Sequence, residues 1–225
     1  MSTEIFGFSV DQQWDYENGY HLISHPSRIA KMLAHYELYK SIVNLPGEVI
    51  ECGVYKGASL VRFATFRHAL EAQESRKIIG FDAFGKFPPQ EEPDDKAFIE
   101  YFESDGGDGI SIDGMHEIFA HKQFGNYELV AGDVSDTIPN YLEQHPELRV
   151  ALLHIDVDVY KPTRDILHHL FDRIVPNGLL VLDDYGVVAG ETRAVDEFIE
   201  QRKVTVEKLP YYLRPAFIRK PLGGE

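Results

Sequence analysis

Four acids in two short groups carry the strongest chemical signal in this sequence. Asp156 closes the apolar run Ala151–Asp156 and is followed by Val157-Asp158. Asp183 closes a second run, Leu179–Asp183, and is followed by Asp184-Tyr185. The groups lie 27 residues apart, room for one helix and the turn Pro176-Asn177-Gly178. On adjacent parallel strands, Asp156 would come to rest beside Asp183 and Asp184. Carboxylates this close repel unless they share a proton or a cation. A few hard oxygen donors, completed by water and substrate, suit Mg²⁺. The plainer alternative is a set of Asp residues capping helices at strand ends.

Three further sites fall at the ends of apolar runs. In Glu51-Cys52-Gly53-Val54-Tyr55-Lys56-Gly57-Ala58-Ser59, two glycines let backbone approach a ligand, and the following helix offers free N–H groups. The spacing is not the G-x-G-x-x-G of pyrophosphate loops, and an acid at Glu51 repels phosphate but suits an ammonium group. A tight packing turn is the alternative. Asp82 ends the next run, where doubly wound sheets commonly hold a ribose. Asp133, with Val134 after it, would face the same crevice, or equally cap a helix starting near Pro139. His154, inside an apolar run, reads as a hydrogen-bonded core residue, and His168-His169 as helix surface.

The elements that must position these residues follow from periodicity. Strands are expected at Val49–Gly53, Lys77–Asp82, Tyr127–Ala131, Ala151–Asp156 and Leu179–Asp183. Helices are expected at 26–43, Ser59–Ala72, Gly114–Phe124, Thr163–Ile174 and Glu191–Gln201. Continuous apolar strands alternating with helices indicate an α/β domain with a parallel sheet covered on both faces. Val204–Leu209 and Ala216–Ile218 read as a terminal antiparallel pair. One domain spans 1–225: an N-terminal arm and helix over 1–45, and a core over 46–225. Residues 88–113 hold nine acids and one lysine, an insertion after the second strand. It reads as a solvated acidic loop or a cover over the site. Together 86–113 and the aromatic arm (Trp14, Tyr16, Tyr20) are expected to close over the ligand, or else to form a subunit contact.

Composition narrows the class. The chain carries 37 acidic and 22 basic residues, a net −15, which argues against nucleic acid and anionic membranes as partners. A single cysteine, Cys52, excludes an intrachain disulfide framework. No run is long enough to span a membrane, and the first 17 residues lack a basic-then-apolar leader pattern. A cytoplasmic protein is the simplest expectation.

The stretches VIECGVYKGAS, GFDAFGKFP, GDVSDTIP, HIDVDVYKPTRDIL and VPNGLLVLDDYG together resemble the TylF/MycF (macrocin O-methyltransferase) family over roughly residues 45–220. The family often reads P-G-G where Pro176-Asn177-Gly178 stands here. The resemblance implies a Rossmann-like, doubly wound, mostly parallel seven-stranded sheet with the last strand antiparallel. It implies a class I O-methyltransferase using S-adenosylmethionine and Mg²⁺. Glu51 and the Gly53–Gly57 loop, with Tyr55 and Ser59, would hold the methionine portion of the cofactor. Asp82 would bind its ribose, and Asp133 and Val134 would flank its adenine. Asp156, Asp183 and Asp184 would bind the metal, and Asp156 or Asp158 would take the acceptor proton. The acceptor would be a sugar hydroxyl, on a nucleotide sugar or a glycosylated natural product, and the protein a homo-oligomer. Two other readings are a glycosyltransferase using Asp156-x-Asp158 and a non-catalytic cofactor-binding subunit.

Overall fold

The computed structural model describes residues 4–222. A short hairpin, β1 (Glu4–Ile5) and β2 (Phe8–Ser9), leads into α1 (Gln13–Ile23) and α2 (Pro26–Lys40). The core follows as β3 (Glu48–Cys52), α3 (Ala58–Leu70), β4 (Ile78–Asp82), α4 (Pro93–Gly106), α5 (Ile112–His121), β5 (Tyr127–Ala131) and α6 (Val134–Gln144). It continues as β6 (Val150–Ile155), α7 (Tyr160–Leu170), β7 (Ile174–Leu182), α8 (Ala189–Arg202), β8 (Glu207–Lys208) and β9 (Ala216–Arg219).

Seven strands form one sheet in the order β5-β4-β3-β6-β7-β9-β8. The first five are parallel, and β9 runs antiparallel to both β7 and β8. Successive side chains in a strand point to opposite faces, and the core divides accordingly. Ile50, Ile79, Leu153 and Leu180 pack under α6, α7 and α8. Val49, Ile78, Leu152 and Leu179 pack under α2, α3 and α5. Glu51 and His154 share this second face, paired in register on neighbouring strands.

The order reverses between β3 and β6, and ligands in such sheets bind outside the carboxyl ends at that switch point. Here Gly53 donates to Phe81 O, and Asp156 N donates to Cys52 O at 2.9 Å. The loops leaving β3 and β6 therefore part over one crevice.

The arm folds as a hairpin and helix α1, β8 is shorter than expected, and three further elements differ from the sequence reading. The acidic insertion is mostly a helix, α4. Its apolar residues Phe98 and Phe102 lie one turn apart and stack on each other. Helix α6 starts at Val134 rather than near Pro139, which lies inside it. Pro176-Asn177-Gly178 is an irregularity within β7 and not a turn before it, since β7 begins at Ile174 and its register against β6 shifts there. Pro176 and Asn177 point to solvent, so no ladder donor is lost in the core. No helix among the described residues is long and apolar enough to cross a membrane.

Candidate active site

A cavity of about 310 Å³ opens at the switch point. Gly53, Tyr55, Asp82, Asp133, Val134, Asp156, Asp158, Asp183 and Asp184 line it, drawn from five strand ends. Glu51, Gly57 and Ser59 do not line it. Glu51 is fully buried beneath the loop, where its Oε1 meets His154 Nδ1 at 2.8 Å. Gly57 is the N-cap of α3 and packs on Met115, and Ser59 lies in the first turn of that helix.

Asp82 shapes the cofactor side. Its Oδ2 accepts from Val54 N at 2.7 Å and Tyr55 N at 3.1 Å, and its Oδ1 accepts from Phe84 N. Tyr55 and Phe84 both adopt left-handed backbone, with φ of 49° and 52°. Such strained non-glycine residues persist only where surroundings hold them, and the Asp82 carboxylate does so for both turns. Asp133 caps α6, which starts at Val134, by accepting from Ser135 N at 2.9 Å, and it also lines the cavity.

On the other side the acids sort into two groups. Asp156, Asp158 and Asp184 each offer an oxygen, all within 4.8 Å of one another. Asp183 turns toward α2. Its Oδ1 lies 3.2 Å from His154 Nε2, and its Oδ2 accepts from Lys31. Burial would push the Asp183 carboxyl up, but the His154 hydrogen bond and the Lys31 charge hold it well below the usual range. For His154, burial works the other way, and its bonds to Asp183 and Glu51 outweigh it and push it up to about 10. Burial, then Asp183, pushes the Asp156 carboxyl well up; burial, then Asp156 and Asp184, does the same to Asp158. Asp158 also sits in left-handed backbone, φ 63°.

Sequence reasoning missed several wall residues. Arg28 and Lys31 of α2 and Arg214 of the β8–β9 connection line the cavity. Glu191 is fully buried, accepts from Asp184 N at 3.1 Å through Oε1, and leaves Oε2 without a partner. Lys31 and Arg214 carry no local motif, because their contacts with Asp183 and Asp184 exist only after folding. Hard oxygens clustered in front of an orphaned carboxyl oxygen are a donor set that fits Mg²⁺.

The insertion closes one wall through Lys86, Phe87, Pro88, Gln90, Phe102 and Gly109. It is fastened to both sides of the site. Tyr55 donates its hydroxyl to Gly106 O at 2.7 Å, and Asp95 Oδ2 accepts from Tyr160 N at the start of α7, 3.0 Å away. At its base Gly109 N donates to Gly85 O at 2.8 Å. Among the described residues, the arm before α2 adds none to the wall: α1 buries none of its residues, and Trp14 is 68% exposed. Asp95→Ala is expected to speed amide exchange across residues 93–106 about fivefold, the loss of a fastening hydrogen bond of about 1 kcal/mol. Unchanged exchange would reduce the Asp95 bond to helix capping alone.

Mycinamicin III 3''-O-methyltransferase of Micromonospora griseorubida is 26% identical over 170 residues, 72% of this chain and 64% of that protein. The chain spans 55 to 64% of the length of the curated relatives it matches. Among solved structures, apo CalS11, a TDP-rhamnose 3'-O-methyltransferase of calicheamicin biosynthesis, superposes with a TM-score of 0.67 at 26% identity, covering 94% of this chain and 87% of that one. The O-methyltransferase NovP superposes with a TM-score of 0.73 at 18% identity, covering 85% and 79%. The doubly wound sheet with its antiparallel edge is thus the class I methyltransferase fold. Residues 20–210 match the macrocin O-methyltransferase (TylF) family, and the chain belongs to that family.

Proposed function

We propose that this chain is an S-adenosylmethionine- and Mg²⁺-dependent O-methyltransferase acting on a sugar hydroxyl, on a nucleotide sugar or a glycosylated natural product. One observation carries the reading. The glycine loop of β3 and the acid cluster of β6 and β7 press together over one cavity, so closely that a Cβ on Gly53 would lie 1.9 Å from Asp156 O. Family membership and the sugar nucleotide named for CalS11 support it.

When bound, S-adenosylmethionine supplies an electrophilic methyl group, and Mg²⁺ acidifies and orients a hydroxyl. Gly53, Tyr55, Asp82, Asp133 and Val134 would receive the cofactor. Glu51 supports that loop from beneath, through His154. Asp156 and Asp184, with Asp183 or Asp158, would hold the cation. Phe87, Phe102 and Val157 exclude water from the reacting groups. Asp158, which lines the cavity beside Asp156 and Asp184, would take the hydroxyl proton. Close alignment of oxygen and methyl supplies much of the remaining acceleration.

The test pairs binding with turnover. S-adenosylhomocysteine at about 100 times its Kd should stabilise the protein by about 2.7 kcal/mol in a thermal melt. Isotope-labelled cofactor, offered with a panel of sugar nucleotides and glycosides, should yield a methylated sugar in a reaction that EDTA stops. Stabilisation by a nucleotide sugar with Mn²⁺, and none by S-adenosylhomocysteine, would establish the glycosyltransferase instead. No response to any of them would leave a non-catalytic subunit.

A further inference from the structure

Two acids at the carboxyl edge carry basic partners. Lys31 Nζ donates to Asp183 Oδ2, and Arg214 Nη1 donates to Asp184 Oδ1 at 2.7 Å. The two pairs differ in burial. The Lys31 side chain is 18% exposed and Asp183 3%, whereas Arg214 is 37% exposed. Lys31 belongs to α2, which precedes the first strand of the main sheet, and it reaches Asp183 across 152 residues of sequence. Its ammonium also feels the charges of Asp156 and Asp184.

A compact, strongly hydrated point charge on a flexible stem is what lysine offers. Placed among three carboxylates, it performs the neutralisation that a divalent cation would perform there. Both cannot hold the same oxygen. Asp183 Oδ1 is committed to His154, and Oδ2 to Lys31. Asp156 and Asp184 group with Asp158, while the Asp183 carboxylate is held by His154 and Lys31.

We propose that Lys31 is a tethered counter-ion of the acid cluster that competes with a divalent cation for Asp183. The inference rests on the metal-dependent reading above. A cation that takes Asp183 together with Asp156 and Asp184, rather than Asp158, would drive the ammonium off Asp183 Oδ2. The freed side chain remains at the cavity wall, three residues from Arg28 on the same helix, and both line the cavity. Loading the metal thus presents a positive charge to the acceptor side.

Mn²⁺ titration, read as free Mn²⁺ by electron paramagnetic resonance, tests this without turnover. Lys31→Met should bind Mn²⁺ about tenfold more tightly than wild type, since one nearby positive charge is gone. Lys31→Arg should stay near wild type. Arg214→Gln should gain less than Lys31→Met, because its pair is more solvated. Equal or weaker binding by Lys31→Met, with binding by wild type intact, would overturn the proposal alone. Absence of binding to both proteins would overturn it together with the metal reading. A second measurement uses wild type only: Mg²⁺ should speed labelling of the Lys31 amine by an acylating reagent. Labelling that ignores or slows with Mg²⁺ would overturn the competition, whether or not the variants fold.

Discussion

Asp156→Asn is expected to lower methyl transfer about a thousandfold or more while leaving S-adenosylhomocysteine binding in place. The residues that line the cofactor side, Gly53, Tyr55, Asp82, Asp133 and Val134, come from other strand ends and keep their own hydrogen bonds. Asparagine preserves shape and removes one charge from a crowded group. The same change should therefore leave the melting temperature equal or higher, because repulsion from Asp183 and Asp184 is relieved. Opposite signs for activity and stability mark a residue kept for chemistry. A variant retaining a tenth of the wild-type rate would remove Asp156 from the reaction. One that melts early would make its role structural.

The second large effect is Gly53→Ala. Gly53 has φ 91°, a conformation that costs an L side chain energy wherever it occurs. Its missing Cβ would lie 1.9 Å from Asp156 O and 2.5 Å from Asp156 C, and both are backbone atoms that no rotamer change can move. The loops of β3 and β6 would have to separate. A loss of about 3 to 5 kcal/mol follows, or a melting temperature lower by about 10 °C. Cofactor affinity should fall as well, because the loop is displaced from Asp82. Gly85→Ala is the control: a Cβ there meets nothing within 4 Å. If the two variants melt together, the close approach is not needed for stability.

Much of the site was legible because strand ends announce themselves. Apolar runs stopping at Asp82, Asp156 and Asp183 have few other structural solutions, and the register of β6 on β7 does bring Asp156 and Asp183 to neighbouring positions. The expectation for His154 as a hydrogen-bonded core residue also describes what is seen. Helix α4 was obscured by its own composition. The nine acids of residues 88–113 hid the one-turn spacing of Phe98 and Phe102. The start of α6 was hidden by Pro139, whose reading as a boundary depends on a preference that tertiary packing overrode. Lys31, Arg214 and Glu191 were illegible for a different reason. Each matters through a partner on another element, and no local spacing encodes a meeting between residues 31 and 183.

The hydrogen bond between Gly109 and Gly85 gives the insertion a pinned base. A segment with both ends fastened behaves as a closed loop, and the closure entropy of such a loop grows only with the logarithm of its length. Lengthening or shortening the span between those two residues therefore costs the sheet little, about 0.6 kcal/mol per doubling, so long as the Asp95 and Gly106 fastenings are kept. The strand ends that bear the acids are under the opposite constraint, since each touches another strand end. Variation thus has a cheap place to accumulate: the cavity wall that carries Phe87, Gln90 and Phe102 can change in length while the strand ends stay where they are.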